Sequence, residues 1–170
     1  MDRSTPLAET HLSWVSAQVD RRAKADLEPI ELEYLAWGPP LESTGIACDM
    51  VASFGEGPLE YAAIRKGCAV LDASRRGTLE LRGDDRLDFL DRMVTNLVKD
   101  LVPGQSRDAF FLNRKGRIEA DLGVLALEDR LLIDLDIHMA PTVTAALDAF
   151  IIDTSVDVVN MGIRSACTYG

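Results

Sequence analysis

The sequence predicts an α+β fold, an antiparallel sheet with helices on one face in the split β-α-β manner of ferredoxin-like folds. Three observations carry this. From residue 68 onward the elements run strands, helix, strands, helix, strand. Between Arg117 and Leu127 apolar residues recur at every second position, the period of a strand with one buried face. Just before that run, Asn113-Arg114-Lys115-Gly116 has Asn first and Gly fourth, the preferences of a type I turn, and so folds two strands into a hairpin.

Each element follows from local chemistry. Up to residue 58 weak helical patterning is interrupted by Gly38-Pro39-Pro40 and Gly55-Glu56-Gly57-Pro58, which reads as an N-terminal extension packing on the core. Leu59 to Lys66 is a helix of good formers after a proline, stopped by Gly67. Cys68 to Leu71 and Thr78 to Arg82 read as short strands. Gly83-Asp84 opens a helix with an acidic first turn, and Leu87, Leu90, Val94 and Leu97 supply its apolar stripe. After Pro103-Gly104, Ala109 to Leu112 is a strand of aromatic β-propensity leading into the hairpin. On the next strand Ile118, Ala120, Leu122, Val124 and Ala126 share one face, with Arg117, Glu119 and Asp121 on the other. Arg130 to Ile137 is a further strand. Pro141 starts a helix with Val143, Ala146, Leu147, Phe150 and Ile151 at helical spacing, and Ser155 to Val159 closes the sheet. Three segments result: the extension 1–58, a domain over 59–159, and an irregular tail over 160–170 that reads as a truncation.

Composition narrows the function classes. With 47% apolar residues the chain can fill a core, and a net charge of -10 opposes a nucleic-acid backbone. No nucleic-acid partner is expected. Met1 to Trp14 lacks the basic start and apolar stretch of a secretory signal, and runs such as Phe150 to Ile152 are too short to cross a bilayer, so no membrane association is expected either. Cys48, Cys68 and Cys167 are widely spaced without a Cys-x-x-Cys pair, which suits neither a disulfide framework nor zinc and fits a reducing cytoplasm.

An ordered set of short motifs carries a family resemblance. Leu7 and His11, in the run from Thr5, form a Leu-x-x-x-His opening; Glu60 to Arg65 reads Glu-x-x-Ala-Ile-Arg, followed by Gly67, Asp72 and Ser74. Gly83-Asp84-Asp85, Phe89-Leu90, Thr95-Asn96, Leu101, Gly104, Leu112-Asn113, Gly116 and Asp121 follow in order. This series resembles the N-terminal part of the tetrahydrofolate-binding aminomethyltransferase superfamily, which holds the glycine-cleavage T-protein and the YgfZ-type folate proteins. The resemblance covers 59–159 and the opening heptapeptide, and implies the folate-binding lobe of a larger, three-lobed protein with folate in its central opening.

The resemblance also implies a site. T-proteins carry paired aspartates after the Leu-Asn-x-x-Gly turn, where a carboxylate polarises or deprotonates the folate amine that accepts the one-carbon unit; this chain has Ala120-Asp121 there. Asp121 is the catalytic candidate, with a solvated strand aspartate as the alternative. Asp121, Asn113, Arg114, Arg117, Thr95 and Asn96 are the candidate tetrahydrofolate-binding set, although Asn113 and Gly116 are already accounted for as turn formers. Arg107, Arg114, Lys115 and Arg117 could meet a folate glutamate tail, against the plainer reading of a solvated basic turn. Two departures stand out: Asp108 where the family often has tyrosine, and Leu97 after Thr95-Asn96 where it often has aspartate. Asp134, Asp136 and His138 recur at strand spacing, but an exposed polar edge accounts for them and no metal site is assigned.

Because Lys115-Gly116-Arg117 resembles the YgfZ branch, the leading expectation is a YgfZ-like folate-binding protein in iron-sulfur protein maintenance, with an iron-sulfur client as partner. Lys66-Gly67-Cys68 is not that branch's later Lys-Gly-Cys motif, because its surroundings differ. The alternatives are an aminomethyltransferase fragment, whose partner would be a lipoylated carrier protein, and a non-catalytic remnant without ligand. Whether the chain is an enzyme stays open at this point.

Overall fold

A computed structural model describes residues 7–44, 46, 48–152, 154–163 and 166–169. Contacts divide the chain into Met1–Arg75 with Ser165–Gly170, and Arg76–Arg164, so the division falls at Arg75/Arg76 and not at the expected 58/59 boundary. Thr5 and Pro6 of the opening heptapeptide lie outside the described residues.

The first unit holds α1 (Ala8–Lys24), β1 (Glu33–Ala36), α2 (Leu41–Thr44), β2 (Asp49–Ser53), α3 (Gly57–Lys66) and β3 (Ala69–Asp72). In α1, Glu9 sits in the first turn and Arg21, Arg22 and Lys24 in the last, matching the helix dipole at both ends. The helix of residues 59–66 forms as α3, with Pro58 in its first turn. β1 pairs antiparallel with β2.

The second unit runs β4 (Arg76–Arg82), α4 (Arg86–Asp91), β5 (Ser106–Leu112), β6 (Ile118–Ala126), β7 (Arg130–Asp136), α5 (Ala140–Asp148) and β8 (Asp157–Ile163). Its strands make one antiparallel sheet in the order β5-β6-β7-β4-β8. Strands β7 and β8, joined by α5, flank β4, which is the expected split β-α-β arrangement. β5 is an added edge strand. A last strand, β9 (Ala166–Tyr169), pairs with β3 in the first unit. Residues 160–163 therefore extend β8 and 166–169 form β9, where an irregular tail was expected; hydrogen-bonded partners, not side-chain periodicity, make these strands.

Alternation along the strands separates two faces. Leu79 and Leu81 of β4, Phe111 of β5, Leu122 and Val124 of β6, and Leu131, Ile133 and Leu135 of β7 join Phe89 and Leu90 of α4 and Val143 and Leu147 of α5 in one cluster. Both helices thus cover one face. Burying each large apolar side chain contributes about 1.5–3 kcal/mol relative to leaving it exposed. Ile118 departs from the expected alternation and is 61% exposed. A register shift between Phe111 and Leu112 breaks the alternation there, and Ile118 pairs with Leu112 at the end of the strand.

The helix expected through Leu97 stops at Asp91. The Asp91 carboxylate accepts the Val98 amide at 2.7 Å and the Lys99 amide at 3.2 Å, folding the chain back. Val94 then bridges to Phe111, and Leu97 is exposed. At the other end of α4, Asp85 makes no side-chain cap and accepts the Ser155 amide at 3.0 Å instead. Helix α5 likewise ends at Asp148, leaving Phe150 exposed. Among the described residues no helix is long and apolar enough to cross a membrane.

Gly83 has φ +106, and a Cβ there would come within 1.7 Å of the Ser155 carbonyl oxygen. Gly83→Ala therefore loses about 1–3 kcal/mol to backbone strain, with the clash in addition. Gly57, with nothing within 4 Å of its Cβ position, tolerates the same change. Urea unfolding of both variants checks this, and a Gly83→Ala protein as stable as Gly57→Ala contradicts it.

Candidate functional site

The polar face of the five-stranded sheet forms the site, because every residue opposite the core face points there. In register, Asp108 of β5 faces Gly123 of β6, which faces Asp134 of β7. One step along, Phe110 faces Asp121. These residues, with Arg76 and Asn96, line a cleft of about 380 Å³. Gly123 is its floor: a Cβ there would sit 3.8 Å from the Asp134 Cβ and 3.9 Å from the Asp108 Oδ1, filling the gap between the two carboxylates.

Arg76, at the start of β4, orders the charges. Its Nη1 donates to the Asp121 Oδ2 at 2.8 Å, its Nε to the Asp134 Oδ2 at 2.8 Å, and its Nη2 to the Asp134 carbonyl at 3.1 Å. Burial opposes the guanidinium charge, but the hydrogen bond to Asp121 and the charge of Asp134 outweigh it and raise the Arg76 pKa above its ordinary value. Asp121 is 62% exposed at its side chain and lines the cleft.

The edge of the cleft is held by the residues after α4. The Thr95 amide donates to the Phe110 carbonyl at 3.1 Å, and the Phe110 amide donates to the Thr95 hydroxyl at 3.0 Å. Asn96 Nδ2 donates to the Asp108 carbonyl at 2.6 Å. Together they satisfy outward backbone groups of the edge strand that carries Asp108 and Phe110.

Of the residues singled out from sequence, the structure brings Asp121 and Asn96 to the cleft. Thr95 holds the edge strand beside it. Asn113 does not line it: its Oδ1 accepts the Lys115 amide at 2.9 Å and the Arg117 amide at 3.1 Å, closing the hairpin turn. Arg114 and Arg117 stand exposed on that turn and are not among the lining residues. Arg107 holds the loop, donating to the Leu97 carbonyl and to Asp100 Oδ1 at 2.6 Å. The polar edge expected for Asp134, Asp136 and His138 is corrected, because β7 is an interior strand. Asp136 Oδ1 accepts the His138 amide at 2.9 Å. Among the described residues no group of three or more His, Cys, Asp or Glu could hold a metal ion. Sequence reasoning missed Arg76, Phe110, Gly123 and Asp134 as cleft residues, because only the register of four strands places them together.

In the first unit, the motif residues His11 and Asp72 meet, with Nε2 and Oδ2 3.6 Å apart, and the Asp72 Oδ1 accepts the Ser74 amide at 3.1 Å and the Ser74 hydroxyl. Glu60 Oε1 accepts the Phe54 amide at 2.9 Å and the Ser53 hydroxyl at 3.1 Å, tying the turn between β2 and α3. These hydrogen bonds account for Glu60 and Ser74 as local structure.

Residues 53–164 match the GCVT N-terminal domain family. The chain belongs to that family. Its architecture is shared with the glycine cleavage system aminomethyltransferase T of Bartonella henselae, whose crystal structure aligns with a TM-score of 0.69 and 20% identity over 94% of this chain and 38% of that one. The aminomethyltransferase of Pseudothermotoga lettingae is 30% identical over 120 residues, 71% of this chain and 26% of that protein. The sarcosine oxidase subunit alpha of Corynebacterium sp. (strain U-96) is 40% identical over 75 residues, 44% of this chain and 8% of that protein. The GCVT-family chain thus spans about a quarter to two fifths of the length of the two aminomethyltransferases. These likenesses support the aminomethyltransferase reading better than the YgfZ-type one.

Backbone hydrogen bonds from Val98, then Lys99, hold the Asp91 carboxyl below its ordinary value of 3.8, outweighing burial. A depressed carboxyl stabilises the loop fully above the ordinary aspartate range and ceases to do so as pH falls through the folded-state value. The Val98 amide proton shift is therefore expected to titrate with a midpoint below 3.8. Asp91→Asn removes that step, and a midpoint at or above the ordinary value contradicts the loop's description.

Proposed function

We propose that this chain binds tetrahydrofolate at the polar face of its five-stranded sheet and serves aminomethyl transfer to it, with Asp121 facing the folate amine that accepts the carbon. The observation that carries this is the state of the Asp121 carboxylate. Arg76 fixes its Oδ2, and the Asp121 side chain, 62% exposed, lines a cleft of about 380 Å³. That volume lies within the range of about 300–1,000 Å³ usual for small-molecule sites.

The lining suits a reduced pterin, which is rich in N–H donors, because the cleft offers acceptor carboxylates and an aromatic ring. Bound tetrahydrofolate supplies the nucleophilic amine. When that nitrogen bonds to the incoming carbon it gains positive charge and must lose a proton, and an acceptor oxygen fixed within hydrogen-bond reach favours both changes. Arg76 acts on Asp121 as a positioning residue, because its second anchor on Asp134 ties the carboxylate to two neighbouring strands. The carbon donor would be an aminomethyl group on a lipoylated carrier protein, with ammonia released. The YgfZ-type, iron-sulfur reading rests on the turn of Lys115, Gly116 and Arg117 and on the single Asp121 where T-proteins carry a pair, and that turn is exposed and outside the cleft.

Calorimetric titration with tetrahydrofolate tests the proposal. Saturable binding is expected, with Asp121→Asn weakening it by about tenfold, the worth of one hydrogen bond to a charged acceptor. The absence of saturable binding by the wild-type chain would instead favour a remnant without ligand. Unchanged affinity in Asp121→Asn would remove Asp121 from the site.

A further inference from the structure

A second cavity, of about 680 Å³, lies wholly within the first unit, against α1 and α3. Its size falls within the range of about 300–1,000 Å³ usual for small-molecule sites. Leu7, Trp14, Ile30, Phe54, Leu59 and Ala63 supply apolar walls, and His11, only 6% exposed, lines it as a buried polar residue. The rings of His11 and Trp14, one turn apart on α1, stand at 87° and 80° to that of Phe54, with centroids 5.6 and 5.2 Å from it. Three aromatic rings thus meet at one wall. The His11 Nδ1 is buried and has no hydrogen-bond partner among the described residues. A polar atom buried in that way costs free energy until a ligand group meets it.

Charge decides what can meet it. Glu56 at the cavity is paired with Arg22, whereas Glu60 pairs with no lysine or arginine among the described residues. Behind His11, Asp72 likewise has no lysine or arginine partner there, and its Oδ2 lies 3.6 Å from the His11 Nε2. An anionic oxygen beside Nε2 favours the proton on that nitrogen, which leaves Nδ1 as a lone-pair acceptor. An acceptor flanked by two such carboxylates repels an anion and favours the N–H of a cation. Aromatic rings add to this, because they attract a cation held within about 6 Å of the ring centroid and pack against its methyl groups. We infer that this cavity takes a small N-methylated amine in its protonated form, its ammonium N–H donating to the His11 Nδ1 and its methyl groups lying against Trp14 and Phe54.

This site shares no residue with the proposed folate cleft and does not rest on that reading. Three probes of one shape test it by NMR titration of the full chain, following the Trp14 indole N–H. Benzyldimethylammonium carries charge and one N–H, benzyltrimethylammonium carries charge alone, and isobutylbenzene carries neither. Wild type is expected to bind the three in that order, with the first preferred over the second by about tenfold, the worth of one hydrogen bond from a charged donor. His11→Phe is expected to remove that preference while both ammonium ions still bind. Trp14→Leu, at a side chain already 40% exposed, is expected to weaken both ions by about three- to tenfold and to keep the preference. Three outcomes with the wild-type chain overturn the inference: no saturable binding of either ion, isobutylbenzene bound as tightly as benzyldimethylammonium, or equal affinity for the two ions. A preference that survives in His11→Phe overturns it as well.

Discussion

The register of β6 is the constraint on which the site depends. Its alternation sends Ala120, Leu122 and Val124 into the core and leaves Asp121 on the opposite face, with Gly123 beneath the cleft. The hairpin turn sets that register from one side: Asn113 donates its amide to the Arg117 carbonyl at 2.9 Å and accepts two further amides through its side chain. Gly116 completes the turn at φ +73, a conformation costly for a residue with a Cβ. A slip of one residue would drive the Asp121 carboxylate into an apolar interior, a change costing several kcal/mol per ion. The same physics that packs the core therefore aims the carboxylate.

Electrostatics then shape what the face can hold. Acidic side chains from adjacent strands would repel one another, and Arg76 offsets this by bridging Asp121 and Asp134 from β4. A site built on strands β4, β5, β6 and β7 is held by the sheet's ladder, which gives tighter placement than loops would. Glu80, on the same face, shows the pattern again. Its hydrogen bond from Arg82, then that from Arg130 against the opposing effect of burial, lowers its pKa below the ordinary glutamate range.

Where the sequence was legible, local rules and tertiary structure agreed. The β6 alternation, the Asn113–Gly116 turn, the helix after Pro141 and the split β-α-β arrangement all emerge from period, turn chemistry and element order. Helix α4 was misjudged in length because Val94 and Leu97 continue a helical period by residue type, whereas the Asp91 carboxylate captures two amides and turns the chain. The strands of residues 160–163 and 166–169 were illegible because their partners, β4 and β3, lie far away in sequence. The cleft was half legible. Asp121 emerged from motif and alternation together, while Asp108 looked like the loss of an aromatic ring. The structure places Phe110 two residues along on the same face, which no reading of β5 alone connects with Asp121.

The most direct test of the account is an NMR titration of the full chain with tetrahydrofolate, following backbone amides and the Arg76 side-chain Nε–H. The account predicts saturable shifts at Asp108, Phe110, Asp121, Gly123 and Arg76, with the core-face residues Leu122 and Ile133 moving far less. Shifts confined to the hairpin of Arg114 to Arg117, or none at all, would contradict it.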